Sequence, residues 1–175
     1  MMRPRMIQDT RGYAVVWGLL LTSLFILMAG AVYDVYMAYH YRTWGYEVVS
    51  EAARRGVIEG AEWPPQNFYF TGELHLQPNE ASTKAASFLK DALSRRGITD
   101  YSYDIRVLPT GGGTVPNFPP VLRAAQDGQY MHLNGPGVGV YLEFSYPTVW
   151  LGVLSRGEYR IHVFAAAEMR EVVGP

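Results

Sequence analysis

The chain has no cysteine, which excludes disulfides, thiolate metal sites and cysteine nucleophiles together. It also lacks a strong charge of either sign: 15 Lys/Arg stand against 16 Asp/Glu. No basic tract of the kind that neutralises phosphates occurs, so nucleic acid is not an expected partner. Catalytic patterns are equally scarce. The glycine triplet 111–113 is followed neither by Lys-Ser/Thr nor by a helix that would aim N–H groups at a phosphate. His40, His75, His132 and His162 fall on separate segments, with no two at ligand spacing on one helix face. Ser145 and Ser155 lack a nucleophile elbow, and the carboxylates are scattered singly rather than paired for acid–base work. The expectation is therefore no enzyme, no catalytic residue, no cofactor and no metal; a hydrolase is the least favoured reading.

What the sequence does have is one long apolar run. From Gly12 to Tyr33, between Arg11 and Asp34, 22 residues carry no charge, a helix of about 33 Å and enough to span a bilayer core. A secretory signal would have a shorter apolar region, of about 7–15 residues, before its cleavage site. Ala29-Gly30-Ala31 offers small residues for such a site, but no proline interrupts the sequence until Pro64, and uninterrupted helix argues for a retained anchor. Residues 1–11 hold Arg3, Arg5 and Arg11 against Asp9, which places a basic arm in the cytoplasm and the remainder outside. Tyr13 and Trp17 near one end of the run, and Tyr33 and Tyr36 near the other, suit interfacial belts.

Past Asp34 the helical spacing continues through Val35, Ala38, Tyr41, Tyr46, Val49 and Ala53. One helix from Tyr13 to about Ile58 is expected, its outer half (34–60) an amphipathic stalk, with Gly45 a weak point costing about 1 kcal/mol against alanine. A head domain, 61–175, follows. Residues 67–77 alternate as a strand. Asn79 caps a helix through Arg96 that Gly97 stops, with Ala81, Ala85, Phe88, Leu89, Ala92 and Leu93 on one face. Strands are expected at 101–108, 138–146 and 158–170. The last of these buries Tyr159, Ile161, Val163, Ala165, Ala167 and Met169, while Glu143, Arg160, His162, Glu168 and Arg170 form a solvated face. Residues 109–137, with six glycines and five prolines, read as a long loop with one or two helical turns over VLRAAQ. The fold class is α+β: a long N-terminal transmembrane and stalk helix, then a small domain with a three- to four-stranded antiparallel sheet packed on helices.

The remaining features point to association. Ala14, Gly18 and Thr22, four apart, form the small-xxx-small spacing that lets helix backbones approach closely in lipid. Tyr33, Asp34, Tyr36, Tyr41 and Trp44 are candidate contacts to neighbouring subunits; Asp34 either stops the anchor or pairs with a basic group on a neighbour.

The opening Arg11-Gly12-Tyr13-Ala14-Val15-Val16, the apolar run, and YDVYMAYHYRTWGYEVVSEAARRGVIEGA resemble the amino-terminal region of the TadE/TadG family of pilin-like proteins. KAASFLKDAL and the closing AAAEMRE are similar to that family too. The resemblance implies a minor pilin or pseudopilin of a tight-adherence (Flp-type), type IV-like pilus or related secretion apparatus. Such a subunit is single-pass in the cytoplasmic membrane, has its head outside or at the cell surface, and its partners are lipid, other pilin-like subunits and assembly-platform proteins, in homo- or hetero-oligomers. It also implies prepilin processing between Gly12 and Tyr13. Where the family carries a glutamate five places on, this chain has Trp17, which implies an uncleaved, TadG-like or divergent member. The alternative is an anchored extracytoplasmic binding module that uses loop 109–137, with Tyr130, Met131 and His132, as its ligand surface.

Overall fold

The computed structural model describes residues 10–62, 75–114, 132–146, 148, 150 and 159–169. Helix α1 runs unbroken from Thr10 to Gly60, 51 residues and about 77 Å. Its two halves meet different surroundings. Residues 12–29 are exposed on every side, whereas from Gly30 onward one face is covered.

The outer half covers one face of the sheet, as a stalk helix packed on the head. Val48, Val49, Ala52, Ala53 and Val57 are buried and share one core with the second helix and the sheet. The amphipathic face of α1 and the apolar face of the sheet each need cover, and each supplies it to the other. Gly45 is the clearest departure from expectation. A Cβ there would lie 2.9 Å from Phe144 Cε1, so this glycine is a seat for an aromatic ring.

Helix α2 spans Pro78–Arg95 and starts two residues earlier than a cap at Asn79 would have it. Gln77 occupies the cap without a side-chain bond, and Pro78 takes the first helical turn, where a missing N–H costs nothing. The Asn79 carbonyl instead accepts the Ser82 and Thr83 hydroxyls. At the other end Gly97 adopts φ +68°, and the N–H groups of Gly97 and Ile98 return to the carbonyls of Ser94 and Leu93. That double bond is a Schellman stop. Ala81, Ala85, Leu89 and Leu93 are buried, as their spacing predicts.

Strands β1 (Tyr101–Leu108), β4 (Gly137–Tyr146) and β5 (Tyr159–Glu168) form an antiparallel sheet in the order β1-β4-β5. Tyr103 pairs with Leu142 and Phe144 with Ile161. Val138, Val140, Leu142, Phe144 and Tyr146 of the central strand are all buried and lie in the core with α1 and α2. Tyr159 departs from its expected burial. It sits at the end of an edge strand, its ring 5.7 Å from that of Tyr146 and its other side open. Met169 packs on the core from just beyond β5.

Two short strands, β2 (Gly113–Thr114) and β3 (His132–Leu133), pair and tie together the two ends of the glycine- and proline-rich segment. Residues 115–131, including the turns expected over VLRAAQ and the side chains Tyr130 and Met131, lie outside the described residues, as does most of the strand expected at 67–77. His75 and Leu76 make isolated bridges to Thr110 and Ala61. The architecture is α+β: a long apolar helix followed by a small domain with a three-stranded antiparallel sheet and a helix.

Candidate functional site

Among the described residues one helix is long and apolar enough to cross a membrane, the amino-terminal half of α1. Leu19, Phe25 and Met28 all stand more than half exposed on different sides of it. The two aliphatic hydroxyls in the run are satisfied inside the helix: Thr22 donates to the Gly18 carbonyl at 2.8 Å and Ser23 to that of Leu19 at 2.9 Å. Neither needs water, which suits apolar surroundings.

Ala14, Gly18 and Thr22 are exposed, and a Cβ on Gly18 would meet nothing within 4 Å. Residues 18 apart return to the same azimuth after about five turns, so Gly18 and Tyr36 share a face. Gly45 lies 27 positions beyond Gly18 and points the opposite way, into the head. The small-residue spacing is thus on the side of α1 that the head leaves uncovered. Tyr33, Tyr36, Tyr39 and Tyr46 remain at least half exposed beyond it. Gly12 and Tyr13 lie in the first turn of α1, with the Tyr13 ring edge-on to Trp17 at 6.0 Å.

Three of the five residues expected to face neighbours are taken up by the chain's own head. Tyr41 stacks on Tyr146 at 5.4 Å, and Trp44 meets Phe144 edge-on at 5.9 Å. The Arg96 guanidinium lies over both Tyr41 and Trp44, at 5.3 and 4.4 Å. Asp34 is the sharpest correction. It is 1% exposed, and its Oδ2 accepts the backbone N–H of Trp150 at 2.8 Å across 116 positions of sequence. One turn earlier on α1, the Trp150 ring rests on Gly30, where an added Cβ would lie 2.4 Å from Cγ. The Tyr146 hydroxyl reaches the Asp34 carbonyl at 3.5 Å. Burial, then the nearby Asp34 and Tyr159, raise the Tyr146 phenol above its usual value. Gly30 and Asp34, one turn apart, are a flat seat and an acceptor on one helix face, a signal readable from sequence only if Trp150 is known to return there.

No protein-family model, curated protein or solved structure matches the chain.

A second polar cluster lies on the sheet face turned away from the helices. Arg160 donates to Glu143 at 2.8 Å; Tyr141 donates to the other Glu143 oxygen at 3.2 Å and lies 2.8 Å from His162 Nδ1. Alternation alone makes this a solvated face, yet Tyr141 is 2% exposed. A shallow depression of about 60 Å³ beside it, lined by Asp100, Ser102, Glu143, Ser145 and Arg160, has room for a few waters. His40 lies 3.5 Å from Arg96, and no group of three metal-ligating side chains occurs among the described residues.

This cluster sets a pH dependence. Burial, reinforced by the adjacent Glu143 carboxylate, pushes the Tyr141 phenol up to about 12 from 10.0. The folded protein holds that proton more tightly than the unfolded chain, so the associated stability is complete below pH 10 and is lost as pH rises toward 12. That loss is on the order of a few kcal/mol. Glu143 has the opposite sign. The Arg160 hydrogen bond, with help from Tyr141 and His162, holds its carboxyl below the usual value, so its contribution is present above the ordinary carboxylate range and disappears as pH falls through the folded value. Urea midpoints measured from pH 9 to 12 should fall for wild type and fall less for Tyr141→Phe; parallel curves would remove Tyr141 from the account.

Proposed function

We propose that this chain is a membrane-anchored, TadE/TadG-like minor pilin or pseudopilin, a structural subunit in the assembly of a Tad/Flp-type pilus or related secretion apparatus. The observation that carries this reading is the divided surroundings of α1. Residues 12–29 of one unbroken helix are bare and apolar on all sides, while residues from Val48 to Val57 of the same helix contribute to the core of a small head. A load on the head is then transmitted to the anchor through a packed core rather than a linker, which suits a part that is moved from lipid into an assembly. The basic arm would remain cytoplasmic and the head would stand outside.

In such an assembly the Ala14, Gly18 and Thr22 face exchanges lipid for the helix of another subunit, and Tyr36 and Tyr39 extend that contact above the membrane. The face is uncovered by the head, and Gly18 leaves open space for a close neighbour. Gly18→Leu should reduce crosslinked subunit adducts from detergent-solubilised membranes about tenfold, equivalent to roughly 1.4 kcal/mol, while alkaline extraction still finds the variant in the membrane. Unchanged adducts would remove the face from the mechanism. Intact mass of the native protein would show whether processing between Gly12 and Tyr13 occurs.

A further inference from the structure

We propose that the head is seated directly on the bilayer, with Trp150 as its contact to the boundary between headgroups and acyl chains. The inference rests on residues 12–33 spanning the membrane. Gly30, on which the indole lies, falls inside that uncharged run, four residues and about 6 Å before Asp34. A ring held against Gly30 is therefore held at the depth where lipid begins. The residue is also held there at its backbone, because the Trp150 main-chain N–H donates to the buried Asp34 carboxylate.

Trp150 is 36% exposed, although it is held at both its backbone and the ring face against Gly30. Exposure of an immobilised indole to water gains nothing, whereas the bilayer interface is where an amphipathic ring is best accommodated. Other aromatic side chains stand near the same end of the head. Tyr33 and Tyr36 are exposed on α1 at about the height of Asp34, and Tyr159 is exposed on β5 against the Tyr146 ring. Tyr146 in turn reaches the Asp34 carbonyl, which places this aromatic group around the point where α1 leaves the bare region. The occupant is thus a lipid surface, continuous with the lipid around residues 12–29. The head gains a fixed height above the membrane, and leaving the bilayer would require this seat to detach.

The test uses the full chain in phosphatidylcholine–phosphatidylglycerol vesicles containing nitroxide probes at the headgroup or deep in the acyl chains. The chain has four tryptophans, Trp17, Trp44, Trp63 and Trp150, so subtracting the emission of Trp150→Phe from wild type isolates residue 150. The difference emission should be blue-shifted, quenched at least about twofold more by the headgroup probe than by aqueous iodide, and little affected by the deep probe. A second variant, Trp150→Phe with Tyr159→Trp, should restore a signal quenched by the headgroup probe. Iodide quenching of residue 150 without lipid quenching overturns the seat. The Trp17→Phe difference separates the two ideas: lipid quenching of Trp17 with an aqueous Trp150 sinks the seat alone, while a Trp17 untouched by either lipid probe sinks the membrane span with it.

Discussion

Phe144→Ala should destabilise the folded head by about 3–5 kcal/mol, a large part of what a domain of this size possesses. The ring is buried toward the carboxyl end of β4, the central strand, and is met by Trp44 at 5.9 Å and Tyr41 at 6.5 Å from α1. Its edge fills the space left by the missing side chain of Gly45. Removing it opens a cavity between a rigid helix and a hydrogen-bonded strand, two surfaces poorly able to collapse toward each other. Urea unfolding of the full chain in mild detergent, followed by near-ultraviolet circular dichroism, reads the change. The bare part of α1 should retain its far-ultraviolet helix signal while the aromatic signal of the head is lost. Phe144→Leu should cost less, about 1–2 kcal/mol, because most of the volume is kept. A change below about 1 kcal/mol for alanine would mean that α1 and the sheet do not share a core.

Much of this arrangement is legible in the chain because its signals are local. The alternation of Val138, Val140, Leu142, Phe144 and Tyr146 reads as a strand with one apolar face, and all five are buried. The spacing from Ala81 to Leu93, and Gly97 after it, reads equally well. What is not legible depends on partners distant in sequence. Gly45 looks like a weak point until Phe144, 99 positions later, is placed on it. Gly30 looks like part of a small-residue triplet until Trp150 covers it, and nothing near Asp34 in the sequence shows that its carboxylate accepts the main-chain N–H of the same tryptophan. Tyr141 belongs by alternation to a polar face, and only the pairing of β4 with β5 brings His162 to its hydroxyl. Pro78 outweighs Asn79 at the start of α2 because a fixed φ at the first helical position competes with a side-chain cap. The two-residue strands β2 and β3 are too short to carry a pattern at all.

Glycine substitution should have opposite signs at the two ends of α1, and Gly60→Leu should produce a loss of about 3 kcal/mol or more. Alanine normally improves a helix interior by about 1 kcal/mol over glycine. At Gly18 nothing lies within 4 Å of the added atom, so Gly18→Ala should leave the isolated subunit as stable or more stable. At Gly60 the same atom would lie 2.4 Å from Ala81 Cβ, 2.7 Å from Ala81 Cα and 2.9 Å from its nitrogen. Backbone at that distance cannot rotate aside, so α2 must move. The motion would strain the bond from Gln77 N–H to the Gly60 carbonyl at 2.8 Å, the Ala61–Leu76 bridge and the Lys84–Glu59 ion pair at 3.3 Å. The exposed ion pair contributes little, so the cost comes from separating Ala81 and Ala85 from α1. Gly60→Ala should lose about 1–3 kcal/mol and Gly60→Leu more, read as urea midpoints of the full-length variants in detergent beside Gly18→Ala. A Gly60→Ala protein as stable as wild type would mean that α2 does not lie against the outer end of α1, and the coupling of head to anchor through one helix would lose its physical basis.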